Sequence, residues 1–182
     1  TMIFFFSDNG GPIYVNSSNN HPLNGAKATV YEGGIRVPFL FQWRRRLPRG
    51  TVYSNAVSTL DIFPTVAAAT GAEMPRDRKM DGVNLMPYLL GMKNSQPHDI
   101  LFWRMGDQNA VRRGDWKLAR KGTSLVFLFD LSADIGEQKN LASERPDILR
   151  KLDAAFRAWD AELAAPLWVP PPAKPVPSAP ST

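Results

Sequence analysis

Met2-Ile3-Phe4-Phe5-Phe6-Ser7-Asp8-Asn9-Gly10-Gly11 is the stretch on which the fold turns. Five consecutive apolar residues favour an extended, buried backbone, the pattern of a core strand in a parallel sheet. The polar pair then falls at the strand's carboxyl end, where open α/β sheets place their ligands. Gly10 and Gly11 let the backbone turn sharply and allow close approach. Asp8 offers carboxylate oxygens and Asn9 an amide oxygen, the hard donors that Ca²⁺ or Mg²⁺ prefers. The same residues also suit an ordinary Asx-type turn after a strand. On this stretch alone both readings stand.

The segment that follows, Leu23-Asn24-Gly25-Ala26-Lys27-Ala28-Thr29-Val30-Tyr31-Glu32-Gly33-Gly34-Ile35-Arg36-Val37-Pro38-Phe39, separates them. A Ser-Asp-Asn-Gly-Gly strand end followed by Gly-x-Lys-x-Thr-x-x-Glu-Gly-Gly-Ile-Arg-Val-Pro strongly resembles the sulfatase family of the alkaline phosphatase-like superfamily. The likeness continues through Ser58-Thr59-Leu60-Asp61-Ile62-Phe63-Pro64-Thr65, Asp81-Gly82-Val83-Asn84-Leu85 and Val111-Arg112-Arg113-Gly114-Asp115-Trp116-Lys117-Leu118. It runs on through Leu128-Phe129-Asp130-Leu131 to Glu137-Gln138-Lys139-Asn140-Leu141, so that roughly residues 1 to 162 carry it.

The resemblance implies an α/β fold. Residues 1–95 would be the C-terminal portion of an alkaline phosphatase-like α/β sheet. Residues 96–164 would be a small four-stranded antiparallel sheet packed by a C-terminal helix, and 165–182 a Pro-rich tail. It implies hydrolysis of aryl or carbohydrate sulfate esters, with a sulfated small molecule or polysaccharide as partner. Asp8 and Asn9 become two ligands of a divalent cation, usually Ca²⁺, with Mg²⁺ as the other candidate. Lys27 becomes the sulfate contact, where an ammonium would neutralise charge on the oxygens during S–O cleavage. His21 lies in the loop between the metal pair and Lys27, close enough in sequence to touch a substrate; an exposed loop histidine is the alternative. A periplasmic or secreted setting also follows from the resemblance alone.

Family members make their nucleophile, a formylglycine, from a Cys or Ser in a Cys/Ser-x-Pro-x-Arg motif. This chain has no cysteine and no Ser-x-Pro-x-Arg. The family's upstream Asp-Asp metal pair and upstream catalytic His and Lys also have no counterpart. The expectation is therefore the C-terminal part of a sulfatase, whose partner is the missing N-terminal half and which has no activity alone. Two rivals remain. A phosphonate or phosphodiester hydrolase on the same scaffold would place an Asp-His pair at the strand end, since imidazole suits Zn²⁺; the second position here is Asn9. A non-catalytic structural or carbohydrate-binding module is the other.

Composition narrows partners further. The 182 residues are 43% hydrophobic, enough for a core, with a formal net charge of +5. No apolar run approaches the ~20 residues that span a bilayer, and no charged leader precedes β-type sequence at the N-terminus. Arg44-Arg45-Arg46 and Arg49 form the densest basic cluster. They follow a strand in a loop without the interleaved aromatics or module of a nucleic-acid site. A solvated loop is the reading, although clustered positive charge also concentrates sulfated polyanions.

Local patterns predict strands over residues 2–7 and 36–43 joined by an Asn/Ser/Gly/Pro-rich loop. A helix is predicted to start near Asp61, with Pro64 in its first turn and Gly71 as C-cap. A short helix spans Leu85 to Leu90. Four short strands then follow, at Ile100–Arg104, Ala110–Arg112, Trp116–Ala119 and Leu125–Leu131, with a hairpin turn at Arg113-Gly114-Asp115. Ile148, Leu149, Leu152, Phe156 and Trp159 mark an amphipathic helix that should cover the sheet. His98 and the pair Trp103 and Arg104 read as surface and packing residues, with sugar contact as the rival for the latter two.

Overall fold

The computed structural model describes residues 1–122, 124–165 and 167. Its first sheet is a two-stranded ribbon, β1 (Met2–Phe6) paired antiparallel with β2 (Phe39–Trp43), Phe4 opposite Phe41. The parallel core strand expected for residues 2–6 is thus corrected. A continuous apolar run signals burial on both faces and carries no information on the direction of the neighbouring strand. Phe4 stacks on Phe41 with ring centroids 4.2 Å apart, while Phe5 on the opposite face is 70% exposed.

β2 also begins later than the apolar run from Arg36 suggests. The Arg36 N–H is used to close a four-residue helix, α1 (Glu32–Ile35), donating to Glu32 O at 2.7 Å. Pro38 then has no N–H to give to a ladder. α1 itself was not foreseen, because two glycines in four residues argue against helix.

A 3₁₀ turn (Thr59–Asp61) leads into α2 (Ile62–Thr70), with Pro64 in its first turn as expected. Asp61 Oδ2 accepts the Ser58 N–H at 2.8 Å and Ser58 Oγ accepts the Leu60 N–H at 3.2 Å, a reciprocal cap on the start of this helical segment. Gly71, at φ 74°, closes it in the left-handed conformation that a C-cap favours. α3 (Met86–Leu89) is the short helix.

The second sheet runs β3 (Leu101–Met105), β4 (Gln108–Arg113), β5 (Trp116–Lys121) and β6 (Leu125–Asp130), antiparallel in that spatial order. Arg113 pairs with Trp116 across Gly114-Asp115, the predicted hairpin. Alternation along the strands divides its side chains between two faces. Val111, Leu118 and Leu128 meet Leu152 and Phe156 of α4 (Pro146–Ala161), and Phe102 stacks on Trp159 at 4.8 Å. Ala110, Ala119 and Phe129, on the opposite face, meet Val30 of the N-terminal segment, with Tyr31 packed alongside. Each fully buried aliphatic side chain here contributes about 1.5–3 kcal/mol. The sheet therefore has α4 on one side and the residue 30–32 segment on the other. Apart from Ala165 and Leu167, the Pro-rich tail expected over 165–182 lies outside the described residues.

Candidate functional site

The site is built where the end of β1 crosses the Glu32-Gly33-Gly34 turn. Gly10 N–H donates to Gly34 O at 2.9 Å, and Gly33 N–H to Asn24 O at 2.6 Å. The backbones lie so close that a Cβ on Gly10 would sit 1.7 Å from Gly33 O, and one on Gly34 would sit 2.2 Å from Thr29 O. No side chain fits at such a contact, which is why glycine stands on both sides of it. Asn20 ties in the loop between: its Oδ1 accepts the Gly11 N–H at 3.0 Å, and its Nδ2 donates to Gly11 O at 3.0 Å and Gly25 O at 3.1 Å. Lys27 N–H donates to Gly11 O at 3.3 Å.

This crossing brings Asp8, Asn9 and Lys27 to one open cleft of about 1590 Å³. Asn9 Nδ2 donates to Gly10 O at 3.0 Å, and among the described residues Asn9 Oδ1 has no hydrogen-bond partner. Asp8 is exposed, and among the described residues its carboxylate meets no cationic side chain. Two adjacent oxygen donors without a protein partner fit a hard divalent cation. They are a partial set: among the described residues no group of three His, Cys, Asp or Glu side chains could hold a metal ion. Lys27 is exposed on the same cleft, with its carbonyl accepting from Tyr14 Oη at 3.5 Å. His21 is also exposed, its N–H donating to Asn19 Oδ1 at 2.9 Å, and it is not among the residues that line this cleft.

Two other predicted positions lie on the cleft wall in structural roles. Trp103 packs against the cluster around Val30 and Ala110, and Arg104 Nη1 binds Asp160 Oδ1 at 2.6 Å. His98 departs from its surface reading. Its side chain is only 8% exposed, and Nε2 lies 2.9 Å from both oxygens of the fully buried Asp61. Asp61 also accepts the Val83 N–H at 2.8 Å, so a buried carboxylate collects its donors from three segments.

The sequence reading missed a buried charge cluster behind the crossing. Lys117 of β5 is fully buried, its Nζ 2.9 Å from Glu32 Oε1 and 2.8 Å from Glu137 Oε1. The second contact is an ion pair without hydrogen-bond alignment, as Glu137 Oε1 has no aligned donor. Glu137 Oε2 accepts the Glu32 N–H at 2.7 Å. Arg36 and Arg112 each bring Nη1 within 3.7 Å of Glu32 Oε2. Burial pushes the Glu137 carboxyl above its ordinary value, against the pull of Lys117. Burial and the Glu137 charge likewise raise the Tyr31 hydroxyl. One signal was available: period-two alternation puts Lys117 on the inward face with Ala119.

The family model described as Sulfatase matches residues 1–72. Steryl-sulfatase of Mus musculus is 32% identical over 208 residues, covering 90% of this chain and 33% of that protein. A sulfatase of Formosa agariphila is 34% identical over 184 residues, covering 87% and 32%. The chain belongs to the sulfatase family. The crystal structure of Ps i-CgsB in complex with k-i-k-neocarrahexaose superimposes with a TM-score of 0.82 at 31% identity, over 92% of this chain and 38% of that one. The sulfatase chain thus spans about a third of the length of the curated relatives it matches, corresponding to their C-terminal part. Among the described residues of this sulfatase chain, no helix is long and apolar enough to cross a membrane.

Proposed function

We propose that this chain is the C-terminal region of a sulfate-ester hydrolase and supplies part of its cation and sulfate site. The observation that carries the reading is the convergence of Asp8, Asn9 and Lys27 on one cleft, held there by the glycine crossing. Asp8 and Asn9 would hold a Ca²⁺ or Mg²⁺, and Lys27 would place its ammonium against the sulfate oxygens. When bound, the cation supplies Lewis-acid neutralisation of the sulfate group. Lys27 adds a second fixed positive charge where negative charge develops as the S–O bond breaks. His21 is assigned at most to the outer part of a bulky substrate, since it lies off the cleft lining.

The substrate class is a sulfated small molecule or polysaccharide. One relative is named for sterol sulfate and one solved neighbour holds a neocarrahexaose, which supports the class and leaves its member open. A periplasmic or secreted setting is part of the same proposal and rests on kinship. The chain has neither a cysteine nor a Ser-x-Pro-x-Arg, so the aldehyde nucleophile would belong to the N-terminal half. The purified chain is expected to show no sulfate-ester turnover above background. With the N-terminal half restored, Lys27→Ala is expected to slow turnover by ~10²-fold or more. A rate near wild type would remove Lys27 from the site.

A further inference from the structure

We propose that Lys117 and Glu137 are positioning residues for the cation and sulfate ends of the site, acting through the Glu32-Gly33-Gly34 turn. This rests on the proposed sulfate-ester reading for its functional meaning, while the mechanical link stands on geometry. Glu137 Oε2 accepts the Glu32 main-chain N–H at 2.7 Å, and Lys117 Nζ donates to Glu32 Oε1 at 2.9 Å. Main chain and side chain of one residue are thereby fixed from behind, in place and in orientation. The turn so held presents Gly34 O to the Gly10 N–H at 2.9 Å, directly after Asp8 and Asn9. The same Gly10-Gly11 segment accepts the Lys27 N–H at 3.3 Å through Gly11 O. A continuous path therefore joins the inward face of β5 to both halves of the candidate site.

Four features argue against a role in stability alone. Buried ion clusters seldom add net stability over apolar packing, so this one is better explained by the arrangement it enforces. Lys117 stands on β5, laddered on both sides by β4 and β6, a rigid mount for a site built otherwise on loops. Glu137 holds φ at 53°, a left-handed conformation that a non-glycine residue keeps only when its surroundings over-determine it. Lys117 also pairs across strands with Arg112, a like charge, and Glu32 lies between the two cations. Glu32 is consequently held from two strands and from the Glu137 loop at once.

Amide exchange of the ¹⁵N-labelled chain tests this. Gly10 and Gly33 report the crossing; Val111 and Leu118 report the sheet. Glu137→Met is expected to speed exchange at Gly10 and Gly33 by about tenfold or more beyond any change at Val111 and Leu118. Glu137→Gln keeps an oxygen for the Glu32 N–H and is expected to return both glycines to within about threefold of wild type. Leu152→Ala, which loosens the α4 face without touching the cluster, is expected to speed exchange at Val111 and Leu118 more than at Gly10 and Gly33. If Glu137→Met does not fold, Lys117→Met/Glu137→Met removes charge in balance and carries the same expectation. Equal changes at the glycines and the sheet in the Glu137→Met chain, or no recovery in Glu137→Gln, overturn the proposal. Titration with Ca²⁺ alone, read at the Asn9 amide, is expected to be at least about threefold weaker in Glu137→Met than in wild type. A wild-type Asn9 amide that ignores Ca²⁺ counts against the cation reading, and the glycine exchange still decides the positioning role.

Discussion

Replacing Gly10 with alanine should damage the site while sparing the four-stranded sheet. The new Cβ would stand 1.7 Å from Gly33 O and 2.9 Å from Gly34 Cα, all main chain. A carbon meets a carbonyl oxygen at no less than about 3.3 Å, so the two backbones must part by roughly 1.5 Å. That separation breaks the 2.9 Å bond from Gly10 N–H to Gly34 O. Overpacking costs about 1–3 kcal/mol and the lost bond about 0.5–1.5 kcal/mol, giving roughly 2–4 kcal/mol together. For a chain of this size the melting temperature should fall by about 4–16 °C. Urea unfolding measures the loss, and ¹⁵N spectra locate it: Asn9, Gly11 and Lys27 amides should shift while those of β4 and β5 hold. An alanine variant within about 0.5 kcal/mol of wild type, with those amides unmoved, would refute the back-to-back crossing.

Lys117→Met leaves two carboxylates buried without their shared ammonium and should cost about 3–5 kcal/mol in urea unfolding; a loss below about 1 kcal/mol would contradict the placement. Glu137→Gln should alter the pH dependence of stability in a defined direction. Burial raises the Glu137 carboxyl above its ordinary 4.5, so the folded chain binds that proton more readily than the unfolded one. This contribution is complete below 4.5 and is lost as pH rises through the raised value. The variant lacks it, and should gain on wild type as pH goes from about 4 to about 8; a flat or inverted difference defeats the assignment. We further propose that residues 1–95 and 96–164 form separate parts. Native-state exchange should then be slower over residues 100–160 than over 1–45, and equal protection in a monomer would argue for one cooperative unit.

The elements that were legible from sequence are those whose signals are local. Gly71 after an apolar helical face, Gly114-Asp115 between two alternating strands and the Leu152–Phe156–Trp159 stripe each carried their own geometry, and each was found where expected. Failures came where a distant partner decides. Phe4 and Phe5 announce burial, and only the course of the later Phe39–Trp43 strand makes their pairing antiparallel. His98 looks like a surface residue until Asp61, far away in sequence, supplies a buried carboxylate. Of the candidate site, Asp8, Asn9 and Lys27 could be nominated from sequence because the two blocks that carry them lie close together along the chain. Glu137 could not, because its contact with Glu32 spans 105 positions.

Among the described lysines Lys117 is the only buried one, and this makes it a chemical timer. Amine acylation by a succinimidyl ester needs a solvent-exposed nitrogen. Lys27, Lys79, Lys93, Lys121, Lys139 and Lys151 are open to such a reagent in the folded chain. Lys117 can react only in molecules that have opened, so its label, read by mass spectrometry, counts openings that the other six cannot distinguish. The converse holds for a cell's own acetylation. An acetyl group placed on Lys117 during synthesis would strip the charge that Glu32 and Glu137 share and weaken the native packing around it.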